Sequence, residues 1–69
     1  MRQPAFGLRV KRLRQTRGLT QAQAAELSGV PQPHWSRLER GDGDPGLSTL
    51  VGIAQALDLS VAELLDDGI

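Results

Sequence analysis

Residues 29–41 read GVPQPHWSRLERG. Pro31 and Pro33 stand two apart, and the chain's single His (His34) and single Trp (Trp35) follow at once. Proline lacks a backbone N–H and clashes inside a helix, but a first turn tolerates it, because the N–H groups there have no intrahelical partner anyway. The prolines therefore mark the start of a helix expected over residues 32–40 and closed by Gly41. The start is expected about one residue late, since Pro31 cannot cap through its side chain. Trp35 and Leu38, three apart, form the inward face. Gln32, Pro33, Ser36, Arg37 and Arg40 face outward, with His34 near the edge. That outward face is short and polar.

Upstream, Thr20 is a good N-cap, and QAQAAEL is rich in helix formers. A second helix is expected over residues 21–28, stopped by Gly29. At about two turns it is too short to persist alone in water, so its neighbours must hold it. Two short helices joined by the Gly-containing link SGVPQ make the helix-turn-helix pattern. Each part has a mechanical reason. Ala25 is small enough for close helix approach, Gly29 tolerates positive φ, and Val30 points into the core. A face like that of residues 32–40 fits the major groove of duplex DNA.

Working outward, three more helices are expected. The first runs from Ala5 to Arg17, with Phe6, Val10 and Leu13 on one face and Gly18 as its C-cap. The fourth runs from Leu47 to Leu57, with Leu47, Leu50, Ile53, Ala54 and Leu57 at three- and four-residue spacing, capped by Gly46 or Ser48. The fifth opens with Ser60 and Glu63 in capping-box positions and continues through ELLDD to Gly68. GDGDPG, between the third and fourth, is a loop. No strand alternation and no internal repeat occur. The expected fold is all-α, five short helices with short links.

The chain has 69 residues, which suits one domain over residues 1–69 with a small core. Without Cys it has no disulfide, thiolate metal site or cysteine nucleophile. The net charge of zero hides a split. Residues 1–37 carry seven basic side chains and one acid, while residues 38–69 carry one basic side chain and seven acids. Such polarity can present a basic face to phosphate. No apolar run is long enough to span a membrane, and the N-terminus lacks the apolar core of a secretory signal. A cytoplasmic location is expected.

The span from LRQTRGLTQ to VAELL resembles the Cro/cI/Xre family of helix-turn-helix DNA-binding domains, of lambda-repressor-like fold. The resemblance is carried by Leu19-Thr20-Gln21, Gly29-Val30, Ser36 to Gly41, Pro45 and Ala56 to Val61, in order. It implies a sequence-specific transcriptional regulator that binds double-stranded DNA as a homodimer. A palindromic operator would have half-sites about 34 Å apart. Gln21 matches a Gln that bridges a phosphate and the recognition helix. Gln32, Pro33, Ser36 and Arg37 match positions facing base edges or flanking phosphates, and His34, beside them, is expected among the base contacts. Arg12, Arg17, Thr20, Gln21 and Arg40 are the expected phosphate contacts. Arg14 and Glu39 match a partly buried ion pair between the first and third helices. Val61, Leu64, Leu65 and Ile69 are the expected dimer face. In size and fold the chain resembles a small stand-alone regulator such as a phage repressor or a restriction–modification controller protein.

The chain departs from the pattern at three places. Pro31 replaces the usual capping Ser or Thr. Trp35 replaces a medium aliphatic residue, and Ala24 stands where Leu is common, which suggests a volume exchange. Asp42 and Asp44 follow Gly41 where relatives often carry Lys or Arg. The DGD run lacks the remaining ligands of a calcium loop, so no metal is expected. His34 has no catalytic partner and no cofactor motif is present, so neither catalysis nor a cofactor is expected. The alternative is an antitoxin-like module whose main partner is a protein such as a toxin.

Overall fold

The computed structural model describes residues 4–66. Five helices follow one another: α1 Pro4–Thr16, α2 Gln21–Ser28, α3 Gln32–Glu39, α4 Leu47–Ala56 and α5 Val61–Leu65. No strand occurs among the described residues. Helix α1 packs on α3, α2 on both α3 and α4, and α5 on α4. Between them lies one cluster that includes Val10, Ala24, Val30, Trp35, Leu38, Ile53, Leu57 and Leu64.

Helix ends follow their chemistry. Thr20 caps α2 through a capping box: the Gln23 N–H donates to Thr20 Oγ1 at 3.1 Å, and the Thr20 N–H donates to Gln23 Oε1 at 2.9 Å. Ser60 and Glu63 do the same for α5. The Ser60 backbone N–H, then its hydroxyl, hold the Glu63 carboxyl below its ordinary value. The contribution of this cap is therefore present above the unfolded carboxylate range and is lost as pH falls through the lowered value. Gly46, rather than Ser48, is the N-cap of α4.

Helix α3 has no side-chain cap. Pro33 in its first turn removes one of the orphan N–H donors, and the His34 N–H reaches Pro31 O at 2.9 Å. The lost Ser or Thr thus leaves little unsatisfied. At its other end Gly41 adopts φ 83°. The Gly41 N–H bonds Leu38 O at 2.9 Å and the Asp42 N–H bonds Arg37 O at 3.0 Å, the paired pattern of a Schellman cap. Helix α5 stops at Leu65, short of the expected run through the acidic residues, and Asp66 is extended. Arg9 of α1 serves the carbonyls at this end, donating from Nε to Leu64 O at 3.1 Å and from Nη2 to Glu63 O at 2.9 Å. Asp67 and Gly68 lie outside the described residues.

Two glycines set the approach of neighbouring helices to the turn and α3. A Cβ on Gly7 would collide with Leu38 O, so α1 crosses the end of α3 backbone to backbone. A Cβ on Gly52 would stand 2.6 Å from Ser28 O and 3.2 Å from Val30 Cγ2, so α4 presses against the α2–α3 turn. Replacing Gly52 with Ala should therefore destabilise the fold by about 1–3 kcal/mol despite Ala's better helix propensity. Thermal unfolding should show a clear drop in Tm, whereas Ala at the exposed Gln55 of the same helix should leave it nearly unchanged.

Candidate nucleic-acid interface

The outward face of α3 begins with Gln32, Pro33 and His34, all exposed. Ser36 is half-buried and Arg37 exposed, while Trp35 is fully buried and Leu38 nearly so. His34 and Trp35, adjacent in sequence, thus point apart as expected. Trp35 and Ala24 are both fully buried in one cluster. The indole N–H is satisfied by Ser28 Oγ at 2.9 Å. That hydroxyl also accepts the Val30 N–H at 3.0 Å and donates to Ala25 O at 3.2 Å. Ser28 thereby ties the turn to the inner face of α3. Sequence reading missed it, because a Ser before a turn Gly is too common to stand out.

Arg14 is the buried charged residue among those described. Its Nε donates to Glu39 Oε2 at 2.6 Å and its Nη2 to Glu39 Oε1 at 3.0 Å, a two-point fork. The remaining Nη1 donates to Leu19 O at 2.6 Å, and the Leu19 N–H bonds back to Arg14 O at 3.1 Å. The α1–α2 link is therefore clamped on both sides, which fixes where α2 begins. Gln21, first in α2, donates from Nε2 to Glu39 Oε1 at 3.0 Å. One carboxylate thus joins α1, α2 and α3. It sits at the C-terminal end of α3, where the helix dipole disfavours an acid, and Arg14 compensates. Gln21 is half-buried. The expected ion pair and the expected Gln21 link to α3 are both present.

The other expected phosphate contacts are dispersed. Thr20 spends its hydroxyl on capping α2. Exposed Arg17 approaches Asp58 at 3.9 Å, beyond the end of α4. Arg12 borders a groove with Ala5, Leu8, Arg9, Leu13 and Thr16, and no α3 residue lines that groove. Exposed Arg40 is the C-cap of α3, with its Nε 3.7 Å from Asp42 Oδ2.

The expected dimer face needs one correction. Leu64 is fully buried in the protomer's own core, so it is not available to a partner. On α5, Leu65 is exposed (55%) and Val61 half-buried. Ile69 lies outside the described residues. No group of three or more His, Cys, Asp or Glu suited to a metal ion occurs among the described residues. No helix there is long and apolar enough to cross a membrane.

A family profile described as a helix-turn-helix domain matches residues 5–66. The chain is 44% identical over 59 residues to y4dJ, an HTH-type transcriptional regulator of Sinorhizobium fredii, covering 86% of this chain and 77% of that one. Other relatives are longer: the chain spans 24% of the length of y4dL from the same organism. Among solved structures, the restriction–modification controller protein C.AhdI of Aeromonas hydrophila is 35% identical, with TM-score 0.85, covering 90% of this chain and 94% of that one. The N-terminal DNA-binding domain of Bacillus subtilis SinR is 31% identical, with TM-score 0.85, covering 96% and 97%. SinR has also been solved in complex with DNA; that chain is 34% identical, with TM-score 0.81, covering 88% and 98%.

The buried fork makes a direct prediction. Glu39→Ala leaves the Arg14 guanidinium without its carboxylate and should destabilise the fold by about 3–5 kcal/mol. Chemical denaturation of Glu39→Ala, Arg14→Met and the double variant should show strong coupling, with the double variant losing less than the two singles together.

Proposed function

The chain belongs to the helix-turn-helix family of DNA-binding transcriptional regulators, and we propose that it reads a specific duplex sequence as a homodimer, with residues 1–69 as one DNA-binding unit. One observation carries this reading: the Arg14–Glu39–Gln21 network holds α3 with its polar side chains outward. In the proposed complex α3 enters the major groove, and Gln32, Pro33, His34, Ser36 and Arg37 meet base edges or flanking phosphates. An Arg reads guanine by a two-point contact and a Gln reads adenine by the same geometry. Gln21 and Thr20 approach a phosphate at the start of α2, and Arg12, Arg17 and Arg40, dispersed over the surface, add positive charge that draws the duplex in. The role is binding rather than catalysis, and it belongs in the cytoplasm with the DNA.

One short helix reads few base pairs, so two copies are expected to share an operator. Leu65 and Val61 of α5 form the proposed contact between them. Selection of bound DNA from a random pool tests the whole reading. A palindrome with half-sites about one helical turn apart is the expected product. Failure to enrich any sequence would favour the antitoxin-like alternative, in which a protein is the main partner.

Arg37→Ala should weaken operator binding by about 1–3 kcal/mol and relax preference at one base pair per half-site. An equal loss on operator and random duplex would make Arg37 a phosphate contact instead. Leu65→Asp, at an exposed position of α5, should yield monomers in sedimentation, with helical content retained. An unchanged dimer would put the interface elsewhere.

A further inference from the structure

The recognition helix carries two cations near its C-terminal end, and both meet the loop that follows. Arg40 Nε lies 3.7 Å from Asp42 Oδ2. Arg37 lines a cleft of about 310 Å³ together with His34, Asp42, Asp44 and Thr49. Its Nη2 reaches over the loop backbone, 3.9 Å from where a Cβ on Gly43 would stand. This geometry is built rather than incidental. The Schellman cap bonds the Asp42 N–H to the carbonyl of Arg37 itself, so the first acid is fixed one turn from that side chain. Gly43, at φ 89°, then turns the chain so that Asp44 borders the same cleft.

We propose that the acidic loop Asp42–Asp44 withholds Arg37 and Arg40 from the DNA backbone and so suppresses sequence-independent binding. The proposal rests on the DNA-binding reading above. Phosphate offers an Arg a point-charge attraction that any sequence supplies. Here that attraction competes with the Asp42 carboxylate 3.7 Å from Arg40 and with the two acids that border the Arg37 cleft, and it brings those acids toward the phosphates as well. The net gain is small on random DNA. A matched base edge offers Arg37 a two-point hydrogen bond that the loop does not reproduce. Arg37 therefore leaves the cleft for the right base and stays with the loop over the wrong one. The acids act on discrimination, with no ligand of their own.

The test compares the wild-type protein with Asp42→Asn/Asp44→Asn on the selected operator and on a random duplex, by fluorescence anisotropy at several salt concentrations. The double variant should bind random duplex about five- to tenfold more tightly near 0.1 M salt. Its plot of log affinity against log salt should steepen by roughly one to two, as one or two Arg side chains become available to phosphate. Affinity for the operator should rise less, so the ratio between the two duplexes falls. Unchanged random-duplex affinity would overturn the proposal. Tighter binding with an unchanged slope would also overturn it, because the gain would then not come from new contacts between Arg and phosphate. Asp44→Asn alone, an exposed loop position, should give a smaller shift of the same kind and serves if the double variant loses helicity. Wild-type binding to the operator separates the two claims. If wild type binds it and the variants leave random binding unchanged, only the loop proposal fails. If no protein binds any duplex, the DNA-binding reading fails and the loop proposal falls with it.

Discussion

The Glu39 carboxylate accepts three N–H groups, two from the Arg14 fork and one from Gln21, and the positions of three helices depend on it. A carboxylate with a side-chain exposure of 4% at the C-terminal end of a helix is poorly placed on its own, facing both desolvation and an unfavourable dipole. The compensation comes from α1 and α2. Because Arg14 also clamps Leu19, the same guanidinium sets the α1–α2 link and hence the start of the helix that carries Gln21. The proposed function builds on this constraint: charge-assisted bonds hold the C-terminal end of α3, and the polar side chains of its other face stay outward.

Around that network, small residues and one large one share the remaining task. Gly7 and Gly52 let α1 and α4 approach backbone atoms where any side chain would intrude. Trp35 supplies apolar bulk at the centre, and Ser28 satisfies its single polar atom without adding a buried orphan. Helix α5, only five residues long, is closed at one end by a capping box and at the other by Arg9. A chain of this size has few core side chains, so caps and forks carry a larger share of its specificity of fold.

Much of this was legible from the residues. Capping and glycine signals gave the helix order, and the bounds of α2 and α3 came within one residue. The split of α3 into an inward pair and an outward polar face followed from spacing alone. The Arg14–Glu39 pair came from resemblance, since residues twenty-five apart give no local signal. What sequence could not supply was contact between distant backbone and side chain. Arg9 reads as one more basic residue on α1 until its reach to α5 is visible. Leu64 and Leu65 are both leucines in a short apolar helix, and only the packing of α5 on α4 makes the first core and the second surface. The acids after Gly41 were visible as a departure, but their relation to Arg37 and Arg40 needed the turn geometry.

A backbone and side-chain amide NMR titration of the protein with its selected duplex shows which helix meets DNA. Shift changes should concentrate at Gln21 and across Gln32 to Arg37. The Arg14 Nε–H signal should persist in its hydrogen-bonded position, because the inner network does not rearrange. Shift changes confined to α4 and α5, with α3 unaffected, would contradict the assignment of α3 as the helix that meets DNA.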